Sequence, residues 1–247
     1  MPLTILLHGA RGRMGHAITA IAAELGVRIG AAVDLGDDPA AAVAACDVIV
    51  DFSTPAATAG LLRLARDHRK PIVIGTTGHD AAALPGLRAA AAEVPCVWAG
   101  NYSVGMNLLF HLTQQAARAL DAGYDAEIIE MHHRFKKDAP SGTAARLVEI
   151  IRAERPAPPE AVRHGRQGLG GERPRGEIGV HALRGGDVVG DHTVIFAGAG
   201  ERLELTHRAS DRAILARGAL RAAEWIRARP PGVYDMQDVL GLRRGGP

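Results

Sequence analysis

Apolar residues in the first hundred positions come in short runs, each followed by a glycine-rich or polar break and then by a helical pattern. The stretch "LTILLHGARGRMGHAITAIAAEL" predicts a buried strand, a turn punctuated by Gly9, Gly12 and Gly15, and an amphipathic helix. "VRIGAAVD" predicts a second strand, and "AAAVAACDVIVDFSTPAATAGLLRLARDH" a helix, a strand and a helix. "KPIVIGTTG", a helix over "AAALPGLRAAAAEV" and the strand "PCVWAGNYS" complete the series. Strands that alternate with helices at this spacing form parallel βαβ units, so the expected fold class is α/β with a doubly wound, Rossmann-like sheet.

After about Ser103 the pattern changes. A long helix, "GMNLLFHLTQQAARAL", leads to the strand "DAEIIEMHH" and then to another helix, "GTAARLVEIIRAE". From residue 177, "EIGVHALRGGDVVGDHTVIFAGAGERLELTHRA" reads as short strands parted by turns such as Arg-Gly-Gly-Asp, the pattern of antiparallel pairing. Between them, 154–177 is rich in Pro, Gly and Arg, a functional loop or a surface connection. The tail from Ala213 returns to a helical pattern. The expected organisation is a dinucleotide-binding domain over 1–103 and 213–247, and a smaller α+β domain with a mixed sheet over 104–212, for substrate binding and oligomerisation.

Composition excludes several classes of function. Hydrophobic residues at 47% and charged residues at 23% are those of a globular chain. No apolar run approaches the roughly 18 residues of a membrane span, and the N-terminus turns glycine-rich too early for a signal peptide, so a cytoplasmic protein is expected. Cys46 and Cys96 have no metal-like spacing. A net charge of +2 is too mild to argue for nucleic acid. Any functional charge is therefore local, and it is concentrated in "EMHHRFKKDAPSGTA" at 130–144. Of 29 basic residues only Lys70, Lys136 and Lys137 are lysines, and two of these lie in that stretch. Lysine can be tuned to give up a proton, whereas arginine cannot.

Two constellations carry chemistry. Gly9, Gly12 and Gly15 form G-x-x-G-x-x-G at a strand-to-helix turn, where backbone N–H groups and the helix dipole hold a pyrophosphate. Asp34 ends the second strand, where an acid takes the hydroxyls of an adenosine ribose. Positions 35–38 add two acids and no arginine, so NADH is expected to be preferred over NADPH. "GTTG" at 75–78 and "AGNYS" at 99–103 follow the carboxyl ends of strands, and suit a nicotinamide ribose and ring. In the second constellation Ser141 is a good N-cap, and the N–H groups of Gly142 and Thr143 meet a carboxylate at a helix start. With Lys136 and a histidine they make a site for a small dicarboxylic acid and a group able to donate a proton. His132 and His133 lack the converging partners of a zinc site, so no metal is expected.

"GARGRMG", "DFSTP", "GTTG", "AGNYSVGMN" and above all "EIIEMHHRFKKDAPSGTA", in this order and spacing, resemble the 4-hydroxy-tetrahydrodipicolinate reductase (dihydrodipicolinate reductase) family of the diaminopimelate and lysine pathway. "GERPRGEIGVHALRGGDVVGDHTVIFAGAGERLELTHRAS" extends the resemblance over nearly the entire chain. It implies an NAD(P)H-dependent oxidoreductase that reduces an unsaturated cyclic imine with two carboxylates, and a homotetramer packed through the second domain. By resemblance His132 is the acid/base histidine and Lys136 the proton donor. His133, with Ser141, Gly142 and Thr143, holds the substrate carboxylates. The cofactor lies on Gly9, Ala10, Arg11, Gly12, Arg13, Met14, Asp34, Phe52, Gly75, Thr76, Thr77, Ala99, Gly100, Asn101 and Tyr102. Closure over the bound pair is expected, with hinges near 101–105 and 211–213. Two departures stand out: the segment after Asp34 is short and lacks an arginine some members have, and Phe135 replaces a histidine found in some. The competing readings are another two-domain NAD-dependent oxidoreductase, a non-enzymatic NAD-binding sensor and a nucleic-acid binder using the arginine-rich loop.

Overall fold

The computed structural model describes residues 2–243. The chain divides into two compact units, Met1–Val104 with Arg212–Pro247, and Gly105–Asp211.

In the first unit, strands β1 (Thr4–His8), β2 (Arg28–Val33), β3 (Val48–Asp51), β4 (Ile72–Ile74), β5 (Pro95–Trp98) and β11 (Gly232–Tyr234) form one sheet in the order β11-β5-β4-β3-β1-β2, every pair parallel. The helices are α1 (Arg13–Ala22), the single turn α2 (Ala40–Val43), α3 (Pro55–Asp67), α4 (Leu84–Ala91), α7 (Ala213–Ile226) and α8 (Met236–Val239). Strand alternation divides the core into two layers. Ile5, Leu7, Val50, Val73 and Val97 pack with residues of α1 and α7, whereas Leu6, Ile49, Ile72, Ile74 and Cys96 pack with residues of α3 and α4. Pro55 at the first turn of α3 costs no helix bond, because those N–H groups have no intrahelical acceptor. At Gly218 of α7 a Cβ would lie 1.7 Å from the Tyr102 carbonyl oxygen, so this glycine lets the helix seat against the chain leaving β5.

In the second unit β6 (Asp125–His132), β7 (Val162–His164), β8 (Ile178–Arg184), β9 (Gly190–Gly198) and β10 (Glu201–Ala209) form a mixed sheet in the order β10-β9-β6-β8-β7. One face supplies Ala126, Ile128, Val180, Val194 and Phe196 to a core shared with α5 (Val104–Ala119) and α6 (Gly142–Glu154), through Met106, Leu109, Phe110, Leu147, Val148 and Ile151. Arg155, just past α6, donates to the carbonyls of Ala117, Leu120 and Tyr124, and so satisfies the carboxyl end of α5.

Three expectations need correction. β8 and β9 are not a hairpin pair: β6 lies between them, antiparallel to β9 and parallel to β8. Strand and turn patterns locate the strands but not their neighbours, and β6 has two edges to fill. The Pro/Gly/Arg-rich stretch holds a 3-10 turn (Pro159–Ala161) and the edge strand β7, paired parallel to β8. The C-terminal tail is not helical throughout, because β11 extends the first sheet beyond β5.

Candidate functional site

In the first unit the sheet order reverses between β1 and β3, and open α/β sheets bind ligands at that point. Gly9 follows β1 with φ +84°, and a Cβ there would lie 2.4 Å from the Phe52 carbonyl oxygen. A Cβ at Gly15 would lie 2.3 Å from the carbonyl oxygens of Gly9 and Ala10. Both glycines are therefore required by close backbone approach. α1 starts at Gly12 with no side-chain cap. The Gly12 N–H is spent on the Gly9 carbonyl at 3.1 Å, and the Arg11 N–H on Asp34 at 2.8 Å. The first N–H groups of the helix proper, from Arg13 and Met14, have no intrahelical acceptor and suit an anion. A dinucleotide pyrophosphate fits this cradle.

Asp34 also accepts from the Leu35 N–H at 2.8 Å, and these two backbone bonds hold its carboxyl below the usual range. The Arg11 guanidinium reaches Asp37 at 3.4 Å. Phe52 lies over Gly75, where a Cβ would come within 2.1 Å of the ring, and it meets Tyr102 edge-on at 5.4 Å between centroids. Tyr102 is buried and spends its hydroxyl on the carbonyls of Ile74 and Val97, so it backs the site through its ring. Thr77 is exposed, with its methyl carbon 3.8 Å from where a Cβ on Gly100 would stand. Ala99 continues the β5 ladder by donating to the Ile74 carbonyl, and Asn101 accepts from the Ser103 N–H.

Sequence reasoning missed Asp51. It is fully buried and accepts from the hydroxyls of Ser53 (2.5 Å) and Thr76 (2.8 Å) and from the Ser53 N–H (3.1 Å), with His8 Nδ1 3.5 Å away. One carboxylate thereby ties the loop after β3 to the loop after β4. The acid ending an apolar strand in "DFSTP" was the available signal.

In the second unit the charged motif folds into a strand end, a tight turn and a helix start. His132 ends β6, and Lys136 N–H donates to the His133 carbonyl at 3.1 Å. The chain turns there, and the two imidazoles have different surroundings. His132 Nδ1 lies 2.5 Å from Glu130, a fully buried carboxylate. Burial lowers the His132 pKa, with Glu130 opposing. His133 is half-buried, its Nδ1 enclosed without a hydrogen-bond partner. Lys136 Nζ donates to Asp138 at 2.9 Å, and this bond lowers the Asp138 pKa. Phe135 is 79% exposed, so an aromatic ring stands in water beside the turn.

Ser141 caps α6 by accepting from the Ala144 N–H at 3.1 Å. Gly142 and Thr143 occupy the first turn, whose N–H groups have no acceptor within the helix, and the space around the Gly142 Cα is open. Three further residues were missed. Glu130 lies two positions before His132 and was legible from strand alternation alone. Arg184 and His192 lie on β8 and β9, and only register brings them here: Arg184 pairs with His132, and His192 with Glu130. His192 Nε2 lies 3.2 Å from Ser141 Oγ, and burial followed by the nearby His132 pulls its pKa down to about 4. Among the described residues no group of three or more His, Cys, Asp or Glu is arranged to hold a metal ion.

Comparison with known proteins follows the same division. The family model described as dihydrodipicolinate reductase, N-terminus, matches residues 3–102, and the one described as dihydrodipicolinate reductase, C-terminus, matches 105–240. A 4-hydroxy-tetrahydrodipicolinate reductase of Akkermansia muciniphila is 53% identical over 242 residues, 97% of this chain and 98% of the relative. One of Aromatoleum aromaticum is 47% identical over 267 aligned positions, 98% of this chain and 97% of the relative. A solved structure, dipicolinate-bound dihydrodipicolinate reductase from Paenisporosarcina sp. TG-14, shares the fold with a TM-score of 0.77 at 24% identity, covering 96% of this chain and 99% of that one.

Proposed function

This chain belongs to the dihydrodipicolinate reductase family, and on that premise we propose how its own residues divide the work. It is an NAD(P)H-dependent oxidoreductase that reduces 4-hydroxy-tetrahydrodipicolinate, by way of the dihydrodipicolinate form, to tetrahydrodipicolinate in the diaminopimelate route to lysine. A reduced nicotinamide, when bound, supplies the hydride. The turn from Gly9 to Met14 holds the pyrophosphate, and Asp34 takes the adenosine ribose. Phe52, Gly75 to Thr77 and Ala99 to Tyr102 shape the nicotinamide end. His133, Ser141, Gly142 and Thr143 hold the two carboxylates of the substrate, with the first turn of α6 supplying fixed dipoles. Lys136 gives the ring its proton from Nζ, and His132 acts beside it as acid/base.

A single observation supports this reading most. The buried His132 and the capped start of α6 are joined through one carboxylate, so a proton-carrying ring and a carboxylate-binding helix end are fixed to each other. NADH is the preferred cofactor. Asp37 lies against Asp34, accepting from its N–H at 2.9 Å, and Arg11 already faces Asp37, so a 2′-phosphate beside Asp34 would meet acids. The protein works in the cytoplasm, which suits two free, buried cysteines. No helix among the described residues is long and apolar enough to cross a membrane. Four copies assemble.

The test is an assay fed with the product of the preceding synthase step, following reduced-cofactor absorbance. NADH is expected to be consumed with a higher kcat/KM than NADPH. Cofactor consumption that does not depend on the cyclic substrate would overturn the activity, and a strong NADPH preference would overturn the cofactor assignment.

A further inference from the structure

Glu130 has no room for a proton of its own. It is fully buried on β6, and four donors surround it: His132 Nδ1 at 2.5 Å, the two terminal nitrogens of Arg184 at 2.8 and 2.9 Å, and the Ser141 N–H at 3.0 Å. Burial pushes its pKa up, but Arg184, His132 and the Ser141 N–H together outweigh that and leave it lowered. The carboxylate is ionised and accepts from every side.

This arrangement dictates the chemistry of His132. An acceptor-only partner requires a proton on Nδ1, so in the neutral ring Nε2 carries the lone pair, and in the charged ring it carries the mobile proton. A Cβ on Gly190 would come within 3.0 Å of that Nε2, so the glycine leaves space beside the reactive nitrogen. The same carboxylate holds Ser141, whose hydroxyl oxygen caps α6 and contacts His192.

We propose that Glu130 is a positioning residue for the reduction: it fixes the tautomer and ring orientation of His132 and locks the start of α6 to that ring. The proposal rests on the acid/base reading of His132. The ionisable groups facing His132 are Glu130 from its own strand, Arg184 from β8, His192 from β9 with ring centroids 5.1 Å apart, and Lys136 from the following turn. Of these four, Glu130 carries the one negative charge. Removing that charge leaves burial and the cations to act on His132 alone, so its pKa falls further. A glutamine has the same shape but turns an amide NH2 toward groups that are themselves donors.

The experiment compares kcat and KM across about pH 5–8 for the full-length wild type, Glu130→Gln, Glu130→Asp and His132→Gln, with the wild-type histidine ring nitrogens followed by 15N NMR. Glu130→Gln is expected to lose about 10²-fold or more in kcat, to raise KM for the substrate, and to move the pH limb set by His132 to lower pH. Glu130→Asp restores part of both the rate and the limb position. The wild-type spectrum is expected to show the neutral His132 ring protonated at Nδ1, a readout that requires no variant to fold. Near-normal turnover in Glu130→Gln, a limb that does not move, or a neutral ring protonated at Nε2 overturns the proposal. An active His132→Gln enzyme would remove the acid/base reading and this proposal with it. An inactive His132→Gln with an unmoved limb in Glu130→Gln overturns this proposal alone.

Discussion

Lys136 is four-fifths buried along its side chain, and its ammonium is held by Asp138 at 2.9 Å. In the proposed donor role the group is lost outright when the side chain is truncated, so Lys136→Ala is expected to lower kcat by roughly 10²–10⁴-fold while the fold, read by circular dichroism, is unchanged. Lys136→Arg keeps the charge but cannot release the proton, so it rescues binding and not turnover. Normal turnover in either variant would remove the donor role. Most of this site was legible in one span of sequence, because a strand end, a turn and a helix start bring residues 132–143 together through local geometry alone. Glu130 was equally legible in principle, since period two places it on the face of His132. Arg184 and His192 were not, because they arrive through pairing across 52 and 62 residues of chain with no local mark on either. Asp51 was hidden for a different reason: a buried acid at a strand end is told from a turn aspartate only by the three donors that fold onto it.

At the scale of elements, the first unit was readable because parallel strands buried on both faces are near-continuous apolar runs, and those of β1, β3 and β4 are unmistakable. The second unit was readable only in part, because its strand neighbours depend on which edge of β6 each segment takes. An ionic cluster adds to the backbone ladder between β6 and β8 and ties the connecting segment to it. Glu127 of β6 accepts from Arg166 at 2.6 Å, His181 at 2.8 Å and Arg173 at 3.0 Å. Burial raises the Glu127 pKa, but those three partners overcome it and bring it to about 2 from an ordinary 4.5. A carboxyl depressed in the folded state contributes stability that is full above its unfolded pKa and is lost as pH falls through the folded one. The contribution is therefore complete above about pH 4.5 and disappears between there and about pH 2. The melting temperature is expected to fall across that window, and the gap between wild type and Glu127→Gln to close as the acid limit is reached. Thermal melts at stepped pH check this, and a gap that stays constant throughout would show that the ion cluster does not bind the sheet together.

At the scale of the whole molecule, the mixed sheet of the second unit has one face committed to α5 and α6 and another that is not. Alternation sends Ile128 and Val180 to the core and their neighbours the other way, so Ile129 is 37% exposed and Leu183 44%, with half-buried Met131 in register beside Leu183. In the proposed assembly these apolar side chains are the part of the sheet face on which another chain would pack. Covering that face by a second copy is the arrangement expected of the proposed tetramer, and it predicts where the assembly is weakest. Leu183→Glu changes a partly exposed side chain, so its cost to the fold of one subunit is about 0.5 kcal/mol or less, whereas between packed copies it places a charge in an apolar seam without a partner. Sedimentation velocity is expected to show the wild type at four times the chain mass of 25.9 kDa, and Leu183→Glu as smaller species with an unchanged circular dichroism spectrum. A wild type that sediments as a monomer rejects the assembly. A Leu183→Glu protein that stays tetrameric places the contact on some other surface, because a buried glutamate in this seam costs more than a tetramer held through this face tolerates.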